Sequence, residues 1–217
     1  MNSQRQPIAP AKAEAYRQSF ITHVHLLIAM GFSRLDKSQL ATMHEPAITG
    51  LIHESVETIF DDTNSPAWVD DYEIHDDPPI HDSVRTGKER RRVDIKLASR
   101  RTRPRCRFCF EAKSLNKSAG VSAYLGKDGL GQFITGAYSA DQTAGGMLAY
   151  IQTESCNGWS AKVAAKIEIA KHRIGQGGEW LQATIDANLH NTYQTIHKRP
   201  KKLKNIQIIH TFLDCTG

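Results

Sequence analysis

Two stretches near the middle of the chain alternate apolar and polar residues at every second position. Arg92-Val93-Asp94-Ile95-Lys96-Leu97 sets Val93, Ile95 and Leu97 against Arg92, Asp94 and Lys96. Residues 105–113 set Cys106, Phe108, Phe110 and Ala112 against Arg107, Cys109, Glu111 and Lys113. A period of two with aromatic and β-branched residues predicts strands that each bury one face. Paired antiparallel through residues 98–104, the two form a hairpin whose polar faces lie on one side of a sheet, with Asp94 near Glu111.

Elsewhere the spacing turns helical. Residues 20–32 are apolar, interrupted by His23 and His25, and predict an amphipathic helix inside a helical N-terminal segment of about residues 12–36. Ile48, Ile52, Val56 and Ile59 form a stripe behind Pro46, a favourable first helical residue. A strand near residues 72–75 precedes a turn at Pro78-Pro79. Residues 119–138 read as helical or partly looped, broken by Gly126, Gly129 and Gly131, and Gly145-Gly146 leads into a strand at 147–152. Trp159, Val163, Ile167, Ala170 and Ile174 make a second helical stripe, residues 180–193 suggest another helix, and 206–213 a last strand. Helices before a mixed sheet, then more helices and a strand, predict an α/β fold: a three-layer sandwich with an αβββαβ core. At 217 residues one domain, 1–217, is expected, with a C-terminal helix and strand extension over about 157–217.

The polar faces of the hairpin carry the candidate chemistry. Side chains at i and i+2 share a strand face, so Glu111 and Lys113 point together, and Asp94 joins them from the paired strand. Acid-x-Lys should occur by chance about once or twice in such a composition. It occurs twice, as Asp94-Ile95-Lys96 and Glu111-Ala112-Lys113. The setting of the second, on an apolar strand behind an earlier aspartate and among arginines, favours a site over an exposed strand face carrying ordinary charges. Two close carboxylates repel unless a cation lies between them, and Mg²⁺ takes one or two carboxylates together with phosphate oxygens and waters. Lys113 is placed to orient a water and to offset negative charge. Glu45 projects onto the helical stripe, whereas Glu54 lies half a turn round and faces solvent. Glu45 is therefore the candidate helper carboxylate, although an acid before Pro46 also suits the positive end of a helix dipole.

Asp94 and Glu111-Ala112-Lys113 resemble the motif of the PD-(D/E)xK nuclease superfamily, the restriction-endonuclease-like fold, over roughly residues 40–155. Val93 stands where the family name places a proline. The resemblance implies that Asp94 and Glu111 bind the metal, that Ala112 contributes its carbonyl and that Lys113 serves the nucleophilic water. It also implies a Mg²⁺ cofactor, for which Mn²⁺ substitutes, and a 5′-phosphate product. The family often adds a glutamate from the helix before the first strand, here Glu45.

Charge distribution adds a partner. The net charge is +5, and nine of the fourteen arginines fall between Arg85 and Arg107. Arg90, Arg91 and Arg92 precede Asp94, and Arg100, Arg101, Arg103, Arg105 and Arg107 lie between or on the motif strands. These are the expected contacts to a nucleic-acid backbone, fixing register without reading bases. DNA is the expected substrate, with RNA left open. A homodimer suits cutting of both strands, and a partner protein in a multi-subunit defence or repair system is a further expectation. Upstream, residues 61–82 hold eight acids and no lysine or arginine, which suits solubility and pairing with the arginines. A shifted reading takes Asp82 as first carboxylate and Asp94-x-Lys96 as the second element. Residues 198–204 form a second basic segment, a linker or an added contact.

The remaining features mostly exclude. No stretch reaches the ~18 apolar residues of a membrane span, and the cysteines, at 106, 109, 156 and 215, suit reduced thiols in a cytoplasmic protein. A two-residue gap sets Cys106 and Cys109 on opposite strand faces, which argues against zinc. Neither H-E-x-x-H nor G-x-S-x-G occurs, and the histidines read as surface or packed residues. The sequence thus predicts a metal-dependent DNA nuclease, expected to be an endonuclease. A non-catalytic nucleic-acid-binding or interaction subunit is the alternative.

Overall fold

The computed structural model describes residues 10–80, 87–102, 105–117, 119–175, 177, 179–186, 189–200 and 202–217. Three helices come first: α1 (Pro10–Ser33), the short α2 (Lys37–Leu40) and α3 (Glu45–Asp61). Strands β1 (Tyr72–Asp76), β2 (Ile95–Ser99) and β3 (Arg107–Leu115) follow. Two short helices, α4 (Val121–Tyr124) and α5 (Leu130–Ile134), lead to β4 (Ala144–Ile151) and α6 (Cys156–Ala170). The chain ends with β5 (Leu181–Gln182), β6 (Thr192–His197) and β7 (Ile206–Asp214).

The strands form one seven-stranded mixed sheet in the order β1-β2-β3-β4-β7-β6-β5. β3, β4 and β7 run parallel at its centre, flanked by antiparallel pairs on both sides. Helices cover both faces. On one, Phe20, Val24 and Leu27 of α1 and Ile48, Ile52 and Val56 of α3 pack against Ile95, Leu97, Phe108 and Phe110. On the other, Tyr124, Phe133, Trp159 and Val163 from α4, α5 and α6 pack against Cys109, Met147 and Phe212. All eight residues of β4 are buried, as a central parallel strand covered on both sides requires.

The helical stripes lie where their spacing puts them: Ile48, Ile52, Val56 and Ile59 are fully buried, as are Val163 and Ile167. The strands depart from simple alternation. β3 buries both faces, because α4–α6 cover the side expected to be open, so Cys109 and Glu111 are buried with Phe108 and Phe110. Val93 does not share a face with Ile95 and Leu97. The chain bends at Asp94, and Val93 joins the opposite core. Residues 180–193 are not a helix: β5 and the start of β6 occupy the described part, pairing Leu181 with Gln194 and Gln182 with Tyr193. Trp180 stacks on Tyr193 with ring centroids 4.9 Å apart, which accounts for its apolar character without a helix.

Gly145 and Gly146 lie inside β4, on opposite faces. A Cβ at Gly145 would stand 2.5 Å from the Phe133 ring, and one at Gly146 2.3 Å from Phe110. The pair lets aromatic rings from both cores lie flat against the central strand. Cys106 packs against the first core and Cys109 lies in the second. Among the described residues no helix is long and apolar enough to cross a membrane.

Candidate active site

Asp94 sits at the bend before β2. The register Ile95↔Phe110 places it across from Glu111, and its Oδ2 accepts a hydrogen bond from Ala112 N at 2.6 Å. Glu111 and Lys113 occupy alternate positions of β3, and Lys113 Nζ donates to Glu111 Oε1 at 2.8 Å and to Ala112 O at 2.6 Å. Glu45, the first residue of α3, completes the group. Its Oε1 accepts from Lys113 Nζ at 3.0 Å and its Oε2 from Ser114 N at 2.7 Å. Asp94, Glu111, Lys113 and Glu45 are thus brought together from three elements. Glu54 is exposed on the far side of α3.

Residues outside the motif hold Glu45 in place. Gln152 Nε2, just beyond β4, donates to Leu40 O at 2.9 Å and Met43 O at 2.6 Å, tying the entry of α3 to the sheet. Thr49 and Tyr150 share a hydrogen bond of 2.9 Å one turn further on. No periodicity marks Gln152 as special; a polar residue ending an apolar strand was the available signal.

The electrostatics are those of a crowded, partly dry site. Glu111 is 5% exposed, and its Oε2 has no hydrogen-bond partner among the described residues. Burial, then the Asp94 carboxylate, pushes its pKa up to about 8 against the pull of Lys113. Burial also raises Asp94, offset in part by the bond from Ala112 N and by Lys113. For Lys113 burial works toward the neutral amine, but Glu111, Glu45 and Asp94 together outweigh it and raise the pKa to about 12. Tyr138, which sequence spacing did not single out, lies beside these carboxylates. Its hydroxyl donates to Arg92 O at 2.5 Å, and burial with Glu111 and Asp94 nearby keeps it protonated. It packs edge-on against Phe133.

The donor set fits a hard cation. The buried Glu111 carboxylate faces the half-buried Asp94, Glu111 Oε2 has no hydrogen-bond partner among the described residues, and the Ala112 carbonyl beside them accepts from Lys113. Among the described residues no three His, Cys, Asp or Glu side chains converge closely enough to share a metal. Asp94 and Glu111 alone match the one or two carboxylates that Mg²⁺ takes, while Glu45 is engaged by Lys113 and Ser114.

The basic residues divide. Arg92 bonds Asp77 at 2.5 Å, Arg105 bonds Glu73 at 2.6 Å, Arg100 lies 4.0 Å from Glu73, and Arg101 pairs with Asp71. Asp71, Glu73 and Asp77 of the acidic segment therefore engage four arginines of the arginine-rich segment in the fold. Arg100, Arg101 and Arg105 also sit at the end of the hairpin away from Asp94, whereas Arg91 and Arg92 lie just before it. Arg90 is half-buried, and Arg107 is exposed on β3. Arg103, Arg85 and Asp82 lie outside the described residues, and with Asp82 the first element of the shifted site. Lys96 pairs across the sheet with His75 and Cys109. In the second basic segment Arg199 is buried, donating to Lys204 O, Ser139 O and Gln142 O at 2.6, 2.9 and 2.7 Å.

No family model, curated protein or solved structure matches this chain.

Proposed function

We propose that the protein is a metal-dependent nuclease of the PD-(D/E)xK kind that hydrolyses phosphodiester bonds in DNA. The supporting observation is the convergence of Asp94, Glu111, Lys113 and Glu45 around one end of the β2–β3 hairpin. Asp94, Glu111 and the Ala112 carbonyl would hold Mg²⁺, or Mn²⁺ in its place. When bound, the metal supplies a Lewis acid that stabilises phosphate charge and lowers the pKa of a coordinated water.

The chain's own groups have separable tasks. Lys113 has a pKa raised to about 12 and is an ammonium at neutral pH, so it donates and cannot serve as a general base. Its N–H groups orient the attacking water and offset charge on the phosphate oxygens as the water adds in line and the bond to the departing sugar oxygen breaks. Glu45 holds the ammonium at the strand. Asp94, bonded to Ala112 N, fixes the backbone from which the carbonyl and the neighbouring side chains project.

The test incubates the full chain with linear, circular and single-stranded DNA in Mg²⁺, Mn²⁺ or EDTA, beside Glu111→Ala and Lys113→Ala. Metal-dependent cleavage lost in both variants is the expected result. Cleavage that persists in both but fails in Asp82→Ala would move the site upstream. Salt-sensitive binding in every protein without cleavage in any would replace the nuclease with a binding module.

A further inference from the structure

We propose that Lys96 and Arg107 form a phosphate-binding subsite for the substrate strand, set in the cavity beside Glu111 and walled by residues 139–142. The inference rests on the nuclease reading and assigns the backbone contacts within it. Arg107, Cys109 and Glu111 are alternate residues of β3 and share a face; Lys96 stands directly opposite Cys109 on β2. At ~3.3 Å per residue, Arg107 lies about 13 Å along the strand from Glu111, with Lys96 about half as far. Both cations thus continue the row of side chains that carries the carboxylates.

The charge of their neighbours is already engaged by acids. Arg92, Arg100, Arg101 and Arg105 each face Asp77, Asp71 or Glu73. Among the described residues neither Lys96 nor Arg107 makes a salt bridge or a side-chain hydrogen bond. A phosphate approaching the arginine-rich connection must compete with carboxylates already in place. One approaching Lys96 and Arg107 breaks no ion pair among the described residues, and the two cations outnumber Asp141, which shares their lining.

The two cations line a cavity of about 560 Å³ together with Cys109, Ser139 and Asp141. Ser139 has a left-handed backbone at φ 54° and is 9% exposed, and its hydroxyl has no hydrogen-bond partner among the described residues. Strained backbone in a non-glycine residue persists only where its surroundings enforce it. Here the enforcer is Arg199, whose guanidinium grips Ser139 O and Gln142 O from behind the wall. Asp141, an acid of this lining, lies within electrostatic reach of the same guanidinium. Among the described residues no aromatic side chain lines the cavity, which therefore presents charge rather than a platform for stacking a base. The chemistry it suits is the anionic sugar–phosphate backbone.

The test measures anisotropy of a short labelled DNA duplex with the full chain in EDTA over a series of salt concentrations. Lys96→Gln and Arg107→Gln should each flatten the slope of log K against log salt by about 0.9, the release expected for one duplex phosphate contact. Arg101→Gln should leave the slope unchanged. Unchanged melting temperatures keep the comparison free of folding effects. Unaltered slopes in Lys96→Gln and Arg107→Gln, or a flattened slope in Arg101→Gln alone, would overturn the subsite. Absence of salt-dependent binding by the unsubstituted protein would overturn it too. Cleavage assayed separately in Mg²⁺ decides the nuclease reading, so the two failures are distinguishable.

Discussion

Glu45 Oε1 lies 3.0 Å from Lys113 Nζ, a contact that spans 68 positions of sequence. Its second oxygen accepts from Ser114 N, so one carboxylate fixes both the ammonium and the backbone beside it. Glu45→Ala should lower kcat about 100-fold with little change in KM, since a misplacement of ~1 Å at a reacting group costs on that order. Glu45→Gln keeps an oxygen for Ser114 N and should lose less. Single-turnover cleavage by both variants checks this. Equal losses in both would show that charge, not placement, is the contribution of Glu45.

Glu111 is held at an energetic cost to the fold. It is buried, faces Asp94 and leaves Oε2 without a partner. Above its raised pKa of about 8, where Glu111 is ionised, Glu111→Gln removes the repulsion and the burial of a charge while nearly preserving shape. We expect cleavage to fall at least about 100-fold with a melting temperature in EDTA that is unchanged or higher. A gain of about 1 kcal/mol would appear as ~2–4 °C in a chain of this size. A melting temperature several degrees lower would instead make the Glu111–Lys113 pair a structural one.

Much of this site was legible because it depends on local periodicity. Alternation set Glu111 and Lys113 together, hairpin pairing brought Asp94 opposite, and helical spacing chose Glu45 over Glu54. What escaped depends on contacts remote in sequence. Tyr138 ends the Gly-broken segment and reaches Asp94 and Glu111 only through tertiary packing. The two-sided burial of β3 follows from helices that come after it in the chain. Val93 changes face because of a bend that its alternating neighbours conceal. β6 carries buried Thr192, Thr195 and His197, polar residues in the positions an apolar face would occupy, so its apolar pattern is weak.

Gly146 tests the packing of the central strand. A methyl there would come within 2.3 Å of Phe110 Cδ1 and 2.9 Å of Phe108 Cε1, atoms of rings already enclosed by α1 and α3. Gly146→Ala should destabilise the protein by about 1–3 kcal/mol, the usual cost of overpacking a filled core. Urea denaturation measures it. An unchanged midpoint would mean that the two rings shift without cost.

Thr195 joins two buried histidines in a chain whose hydrogen-bond directions are fixed by its ends. Ile174 O only accepts, so His197 Nδ1 donates to it at 3.0 Å and His197 Nε2 accepts from Thr195 Oγ1 at 2.7 Å. Thr195 Oγ1 then accepts from His210 Nε2 at 2.8 Å, leaving His210 Nδ1 to accept from the Tyr124 hydroxyl at 3.0 Å. Thr195→Val strands one donor and one acceptor, at about 1–3 kcal/mol each. Chemical denaturation should show a loss in that combined range. A loss below ~1 kcal/mol would mean that water or another group takes over the bonds.

The two histidines of this network, and His25 on the opposite face of the sheet, make acid a specific threat to the fold. Burial lowers the pKa of His210 well below its ordinary 6.5, burial also lowers His197, and burial lowers His25 to about 4. A histidine whose pKa is lower in the folded chain than in the unfolded one stays neutral in the fold while the unfolded chain takes up a proton. Its stability contribution is therefore full above about pH 6.5 and is lost as pH falls toward the folded value. Each such group steepens the decline by up to about 1.4 kcal/mol per pH unit within its own interval. Nδ1 of His25 donates to Ile21 O at 2.7 Å, while its ring packs edge-on against Phe108 and Phe110. His25→Phe keeps an aromatic ring in that place and removes one titrating group. Between pH 6.5 and 4, melting temperatures of the unsubstituted protein should fall, and those of His25→Phe should fall less steeply. Parallel curves would show that His25 takes up its proton without leaving the fold.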